Sequence, residues 1–207
     1  LTGPGGIGKT RLALAVAAEL AETYPDGAWY IDLASITAPQ AVAPAIRHAL
    51  AIQDLGHGSA EEALETHLRD RELLLLLDNC EQVAASDLYA RLLRAAPRLT
   101  ILATSRSPLR LSGEQQYQVP PLALPPGSGA ISNVELSIGH TERTALHATP
   151  SLAELQCYDA VSFFIARVQA VDAHFRLTVG NAPAIAALCW RLEGLPLAME
   201  LAAARVR

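Results

Sequence analysis

Lysine is nearly absent from this sequence. Its sixteen basic residues comprise fifteen arginines and a single lysine, Lys9. The three cysteines are an odd number without a close pair, which favours reduced thiols over a disulfide framework or a zinc site. With a net charge of −5 and no basic cluster, we expect no direct contact between this segment and nucleic acid.

Long hydrophobic runs are also missing. The longest run of large aliphatic residues, Leu73–Leu77, is far too short to cross a bilayer. Since no charged and then apolar leader opens the chain, we expect no membrane partner and a cytoplasmic location. The only methionine is Met199, and the last residues continue an alanine-rich helical pattern, so we expect the chain to be truncated at both ends.

A glycine-rich loop opens the chain. Residues 3–10 read Gly-Pro-Gly-Gly-Ile-Gly-Lys-Thr, and an apolar helix start follows at once, which is typical of a phosphate-binding loop. We expect Lys9 to bridge the β- and γ-phosphates of a nucleotide, where a planar guanidinium would fit poorly, and the Thr10 hydroxyl to ligate Mg²⁺. The alternative is a chance glycine-rich turn. The candidate nucleotide-binding residues here are Gly3, Pro4, Gly5, Gly6, Ile7, Gly8, Lys9, Thr10 and Arg11.

A buried strand that ends in a carboxylate is expected further along. Residues 72–77 are a glutamate followed by five leucines, typical of a strand buried on both faces of a parallel sheet, and Asp78 comes next. Parallel sheets place ligand-binding groups at the carboxyl ends of their strands, so Asp78 is the candidate Mg²⁺ carboxylate. The alternative is a helical segment with an ordinary terminal aspartate.

The residues after Asp78 bear on the rate of hydrolysis. Fast ATPases of this sheet type commonly have a second carboxylate next to the metal-binding aspartate. This chain has Asn79, which can orient a water molecule but cannot accept its proton. We therefore expect slow hydrolysis. Glu81 is the candidate helper, and the alternative is that it caps the next loop in solvent.

The next predicted strand ends in polar residues. Residues 98–106 read Arg-Leu-Thr-Ile-Leu-Ala-Thr-Ser-Arg, and the end of this strand is expected beside Asp78. There Thr104 would hydrogen-bond a water molecule or a phosphate, and Arg106 would contact the γ-phosphate. The alternative for Arg106 is a plain surface arginine, and Arg110 is an equal competitor by composition.

The alternation of strands and helices predicts an α/β fold with a parallel sheet covered on both faces. Further strands are expected over residues 27–33 and around 117–119, with capped helix starts at Thr37 and Ser59. We predict a nucleotide-binding α/β domain over residues 1–122, a Pro/Gly-rich linker or mobile insertion over 123–150, and a helical subdomain over 151–207. In the subdomain, Ser151 opens a helix that continues through Val168.

The segment Gly194-Leu195-Pro196-Leu197 completes an ordered set of motifs. The other members are the opening loop, Leu-Leu-Asp-Asn-Cys-Glu around Asp78 and Ala-Thr-Ser-Arg-Ser-Pro-Leu around Arg106. Together they resemble the NB-ARC group of STAND ATPases, and specifically its bacterial branch, which includes LuxR-type and antibiotic-pathway (SARP-like) transcriptional activators. The resemblance covers nearly the whole chain except about residues 125–150.

This resemblance implies a three-layer P-loop NTPase of the ASCE type, with the sheet order 5-1-4-3-2, followed by a small helical annex. It also implies that Pro196 packs on the adenine, that Arg106 senses the γ-phosphate, and that ADP holds a resting state while ATP permits assembly. On the residues alone, Pro196 is interpreted as the first-turn proline of the last helix.

The function expected from the resemblance is a switch module that binds ATP or ADP with Mg²⁺, hydrolyses ATP slowly and belongs to a signal-transducing transcriptional regulator. Its implied partners are other domains of a longer protein, namely a winged helix, an effector or DNA-binding domain and a repeat sensor, with nucleotide-dependent self-assembly. Two alternatives stay open. One is a turnover motor of the AAA+ kind, and the other is a nonfunctional fragment of a larger regulator.

Overall fold

The fold is described here from a computed structural model of the chain. The structure describes residues 1–53, 58–83, 85–125 and 151–206. These residues form two compact units, Leu1–Val119 and Pro120–Arg207. The predicted 123–150 linker lies outside the described residues from residue 126 onward.

A parallel sheet forms the centre of the first unit. Its strands are β1 (Ala28–Asp32), β2 (Leu74–Asp78) and β3 (Thr100–Ala103). They pair in that order, and Thr2 adds parallel bridges to Ser105, just beyond β3, and to Gln118. Counted along the chain as five strand segments, this arrangement is the order 5-1-4-3-2. The predicted α/β P-loop fold is therefore confirmed, whereas the strand expected around 117–119 is reduced to an isolated bridge between Gln118 and Thr2.

Helices cover both faces of this sheet. They are α1 (Lys9–Leu20), α2 (Val42–Ala49), α3 (Ala60–Leu68) and α4 (Ser86–Ala95), with 3₁₀ turns at Ala21–Thr23, Pro39–Ala41 and Cys80–Gln82. Side chains alternate along a strand, so Leu74 and Leu76 pack on the α1 side, whereas Leu73, Leu75 and Leu77 pack on the side of α2, α3 and α4. Since each fully buried leucine contributes about 1.5–3 kcal/mol, the leucine run accounts for much of the stability of this unit.

The two predicted helix caps of the first unit have different outcomes. Ser59 caps α3 with the expected capping box, because the Glu62 N–H donates to Ser59 Oγ and the Ser59 N–H donates to the Glu62 carboxylate. The prediction at Thr37 is wrong. The 3₁₀ turn that precedes α2 starts after Ala38 without a side-chain cap, and Pro39 fixes the backbone of the first position instead.

The second unit is helical in its described part. Its helices are α5 (Leu152–Gln156), α6 (Asp159–Gln169), α7 (Ala182–Arg191) and α8 (Pro196–Ala203). Ser151 caps α5 through the predicted capping box with Glu154. Across the described parts of both units, no helix has the length and the apolar character needed to cross a membrane.

The predicted continuation of the first of these helices through Val168 is wrong. Tyr158 adopts extended backbone angles (φ −82°, ψ 128°), which separates α5 from α6. The two helices pack in different hydrophobic clusters: Leu155 lies with Ala182, whereas Phe164 and Val168 lie in the larger cluster with α8. The break allows each short helix to direct its apolar side to its own cluster.

A glycine turn joins α7 to α8 and binds the segment that begins this unit. The Leu122 N–H donates to Gly194 O at 3.0 Å, and Trp190 Nε1 donates to Pro125 O at 2.9 Å. Gly194 has φ +66°, and a Cβ at this position would lie 2.4 Å from Leu122 O. Pro196 follows as the first residue of α8, so its interpretation as a first-turn proline is confirmed.

We expect Gly194→Ala to destabilise the second unit by about 2 kcal/mol or more, because the new methyl group combines a left-handed backbone with a clash against the backbone. Urea unfolding followed by circular dichroism would measure this. Gly180→Ala is the matched control in the same unit, since a Cβ there meets only Thr178 Oγ1 at 3.8 Å. Equal stability of the two variants would contradict the steric explanation.

Candidate functional site

The glycine-rich loop leads directly into α1. Gly8 is the residue before the helix and has φ 100° and ψ 14°, which a residue with a Cβ adopts only under strain. Lys9 is only 9% exposed, and its Nζ donates to Gly3 O at 2.9 Å and to Pro4 O at 3.0 Å. The ammonium of the chain's single lysine therefore lies within the loop.

The carboxylate of Asp78, at the end of β2, is the centre of a hydrogen-bond network. It is 3% exposed. Its Oδ1 accepts from Thr10 Oγ1 at 2.8 Å and from Thr104 Oγ1, and its Oδ2 accepts from Tyr30 OH at 3.2 Å and from Asn79 Nδ2 at 3.3 Å. Four donors match the four lone-pair positions of a carboxylate. The structure thus brings the predicted site residues Thr10, Thr104 and Asn79 together at Asp78.

Two members of this site were missed by sequence reasoning, Tyr30 and Asp32, both on β1. The register of the sheet pairs Asp32 with Asp78, which places the polar end of β1 beside the end of β2. Burial and the nearby carboxylates of Asp78 and Asp32 raise the pKa of Tyr30 to about 12, so its phenol stays a neutral donor near pH 7. The predicted sheet order already placed these strands side by side, and polar residues at the end of the 27–33 strand were the available signal.

Asn79 links the ends of three strands. It has φ 62° and ψ 40°, a left-handed conformation that asparagine adopts more readily than most residues. Its N–H donates to Thr104 Oγ1 at 3.0 Å, and its Nδ2 donates to Asp32 Oδ1 at 3.1 Å as well as to Asp78. The amide is therefore engaged with two carboxylates of neighbouring strands.

Glu81 and Arg106 form an ion pair at the edge of the site. Arg106 Nε lies 3.1 Å from Glu81 Oε1, and the side chains are 65% and 15% exposed, respectively. The alternative of a solvent-exposed Glu81 does not fit so low an exposure. Arg106 lies against the loop, because a Cβ at Gly5 would be 3.8 Å from its Nη2. Arg110 is exposed, and its backbone N–H donates to Glu114 Oε2 at 2.7 Å.

The other predicted site residues lie in varied surroundings. Ile7 is buried in the loop, whereas Arg11 is exposed on α1. Pro196 belongs to the second unit. Their roles toward a nucleotide, like the catalytic roles of Lys9 and Arg106, stay predictions. Within the described ranges, no group of three or more His, Cys, Asp or Glu side chains could hold a metal ion.

None of the three cysteines, Cys80, Cys157 and Cys189, forms a disulfide, as expected from their number and spacing. Cys80 and Cys189 are buried, and burial raises their thiol pKa values to about 12 and about 11. Both thiols therefore stay protonated near neutral pH, which makes them poor nucleophiles.

Comparisons with known proteins place the chain beside longer bacterial proteins. No family model matches it. It is 35% identical, over 99% of its length, to an uncharacterized protein of Mycobacterium tuberculosis, of which it covers 44%. It is 36% identical, over 100% of its length, to a second protein of that organism, named "Putative HTH-type transcriptional regulator", of which it covers 20%. The chain thus spans less than half the length of these relatives.

Among solved structures, the chain is similar to Cdc6p from Pyrobaculum aerophilum. That crystal structure matches 59% of this chain and 38% of its own, with 21% sequence identity and a TM-score of 0.45.

We expect Thr104→Val to lower the free energy of unfolding by about 1–3 kcal/mol, because it removes a buried donor to Asp78 and the acceptor of the Asn79 N–H while keeping the shape of the side chain. Thr100→Val, at an exposed position of β3, the strand that Thr104 directly follows, is the matched control and should change stability little. Urea unfolding of both variants checks this. Similar losses for the two variants would mean that strand packing, and not the carboxylate network, explains the effect.

Proposed function

We propose that the chain binds ATP or ADP together with Mg²⁺ at the loop of residues 3–10. The observation that carries this proposal is the 2.8 Å hydrogen bond between Thr10 Oγ1, at the start of α1, and Asp78 Oδ1, at the end of β2. It joins the first turn after the loop to a buried carboxylate at the end of β2, which β3 separates from the segment at Thr2. P-loop NTPases hold the magnesium ion of the nucleotide with these two groups together.

The loop offers the complementary features that a phosphate needs. Its backbone leads into the N-terminus of α1, where free N–H groups and the helix dipole favour an anion. The Lys9 ammonium adds a positive charge inside the loop. Lys9 Nζ donates to two backbone carbonyls there, and it has three N–H donors to share between them and a phosphate oxygen.

The residues present also fit Mg²⁺. The ion prefers hard oxygen ligands and is usually bound through one or two carboxylates together with phosphate oxygens and water, not by a cage of protein groups. Thr10 and Asp78 supply a hydroxyl and a carboxylate in hydrogen-bond contact. When bound, the ion would neutralise phosphate charge. Thr10 and Asp78 would hold it, with Tyr30 and Thr104 fixing the carboxylate.

We further propose that hydrolysis is slow and that the module acts as an ATP/ADP switch. A general base must reach the attacking water and accept its proton. Next to Asp78 the chain has the amide of Asn79, which cannot do so, and Glu81 is engaged with Arg106. These observations favour retention of nucleotide over rapid turnover.

The relatives suggest the setting of such a switch. One of them is named as a regulator of the HTH type and is about five times as long as the matched region. We propose that this chain likewise serves a signal-transducing transcriptional regulator, of the NB-ARC/STAND and LuxR- or SARP-like kind. Its partners would then be a winged helix, an effector or DNA-binding domain and a repeat sensor of the same protein, with self-assembly controlled by the nucleotide.

We expect Lys9→Ala to weaken the binding of both ATP and ADP by about a hundredfold, because a charge-assisted contact inside the loop is lost. Titration with fluorescent nucleotides in Mg²⁺ measures the affinities, and phosphate release is followed in the same samples. Arg94→Ala, which removes one exposed positive charge from α4, is the matched control and should bind normally. Tight binding with negligible phosphate release supports the switch, rapid release supports a turnover motor, and no binding by the folded wild-type chain contradicts the proposal.

We expect Asp78→Asn to abolish most of the enhancement that Mg²⁺ gives to nucleotide binding, because a neutral amide is a poor ligand for a hard cation. The variant retains the size of the side chain. Affinities for ADP measured with Mg²⁺ and with a chelator would test this, and the metal-free affinity should change little, because Asp78 would contact the nucleotide only through the ion. An unchanged Mg²⁺ effect would exclude Asp78 as the metal carboxylate.

A further inference from the structure

The ion pair between Arg106 and Glu81 has a backbone support of its own. Glu81 lies in the 3₁₀ turn after β2, and Arg106 follows the end of β3. The Cys80 N–H donates to Thr104 O at 3.0 Å, which joins the two chain segments next to the ion pair. This bond holds together the two backbone segments that carry the side chains, just beyond the ends of β2 and β3.

The two partners differ in how firmly they are held. The Glu81 side chain is 15% exposed, and its Oε2 is buried without a hydrogen-bond partner among the described residues. The Arg106 side chain is 65% exposed. A buried carboxylate with one unpartnered oxygen depends on its remaining partner for compensation of its charge. Glu81 is thus the fixed member of the pair, and Arg106 is the member that is free to bind something else as well.

The guanidinium of Arg106 lies beside the loop proposed to bind phosphate. A Cβ at Gly5 would be 3.8 Å from Nη2 and 4.0 Å from Cζ, so the missing side chain at Gly5 leaves room for this approach. Glu81 is paired through Nε. The Nη groups carry four of the five N–H donors of a guanidinium, and they are the donors suited to a phosphate oxygen.

We propose that Glu81 is a positioning residue that holds Arg106 against Gly5, where the guanidinium meets the terminal phosphate of ATP, and that Glu81 is not the base for hydrolysis. This inference rests on the proposed nucleotide binding at the same loop. ADP lacks the phosphate that Arg106 would contact. Glu81 therefore strengthens the binding of ATP and not that of ADP, and it does so by holding Arg106 in position.

The test compares the affinities of a non-hydrolysable ATP analogue and of ADP, both with Mg²⁺, for the wild type, Glu81→Ala, Arg106→Ala and the double variant. We expect each single variant to weaken the ATP analogue by about tenfold, with ADP within about twofold, since a charge-assisted contact to one phosphate is lost. The double variant should be no weaker than either single variant, because both remove the same interaction.

Two further variants sharpen the result. Glu81→Gln keeps the size of the side chain but removes the charge that pairs with Arg106, so it should weaken the ATP analogue in the same direction as Glu81→Ala, by a smaller factor. Arg110→Ala is the matched control for loss of a nearby exposed arginine and should behave as the wild type. Urea unfolding of every variant identifies one that fails to fold, and the nearly isosteric Glu81→Gln keeps the test usable if Glu81→Ala does.

Several outcomes would overturn the inference. They are an equal loss of affinity for the ATP analogue and for ADP in Glu81→Ala, additive effects of the two single variants, and tighter binding of the ATP analogue when Glu81→Ala removes the partner of Arg106. Loss of phosphate release in Glu81→Gln with unchanged ATP affinity would instead assign Glu81 as the base. If the wild type binds neither nucleotide, the proposed function itself fails, which differs from all of these results.

Discussion

The hydrogen bonds to the Asp78 carboxylate hold the candidate site together. Its donors come from the start of α1, from β1, from the residue after β2 and from the residue after β3. A buried carboxylate is costly unless its oxygens are satisfied, so the position of each donor is constrained by the others. The start of α1, the ends of the three strands and Asn79 are consequently joined through this one carboxylate.

Much of this arrangement could be predicted from the sequence, because two strong local patterns, the leucine run and the glycine-rich loop, determine it. The leucine run of β2 has a single stable environment, a strand covered on both faces, and the glycine loop has a single common continuation, a helix. The meeting of Thr10, Thr104 and Asp78 follows from those two patterns and the polar end of the next strand, whereas the order of the strands was implied by the family resemblance. The capping boxes at Ser59 and Ser151 were predictable for the same reason, since each is a contact between residues three apart.

The parts that sequence reasoning missed depend on contacts between distant residues. Tyr30 is interpreted most simply as an ordinary strand aromatic, and only the register between β1 and β2 places its hydroxyl at Asp78. No glycine or proline marks the break at Tyr158. The break follows from the packing of α5 and α6 in two different hydrophobic clusters. For Glu81 the sequence leaves a base and an exposed cap as alternatives, because nothing in its spacing indicates a partner that lies beyond the next strand.

The make-up of the network around Asp78 has a consequence for how the site can respond. Three of the four donors are hydroxyl groups, on Thr10, Tyr30 and Thr104, and a hydroxyl proton can be redirected by rotation about one C–O bond. A cation that binds one lone pair of the carboxylate therefore requires only that one hydroxyl group rotate its proton away from that lone pair. The main chain does not need to move. The site is built so that a change of ligand costs a torsional adjustment, while the strands that carry it stay where they are.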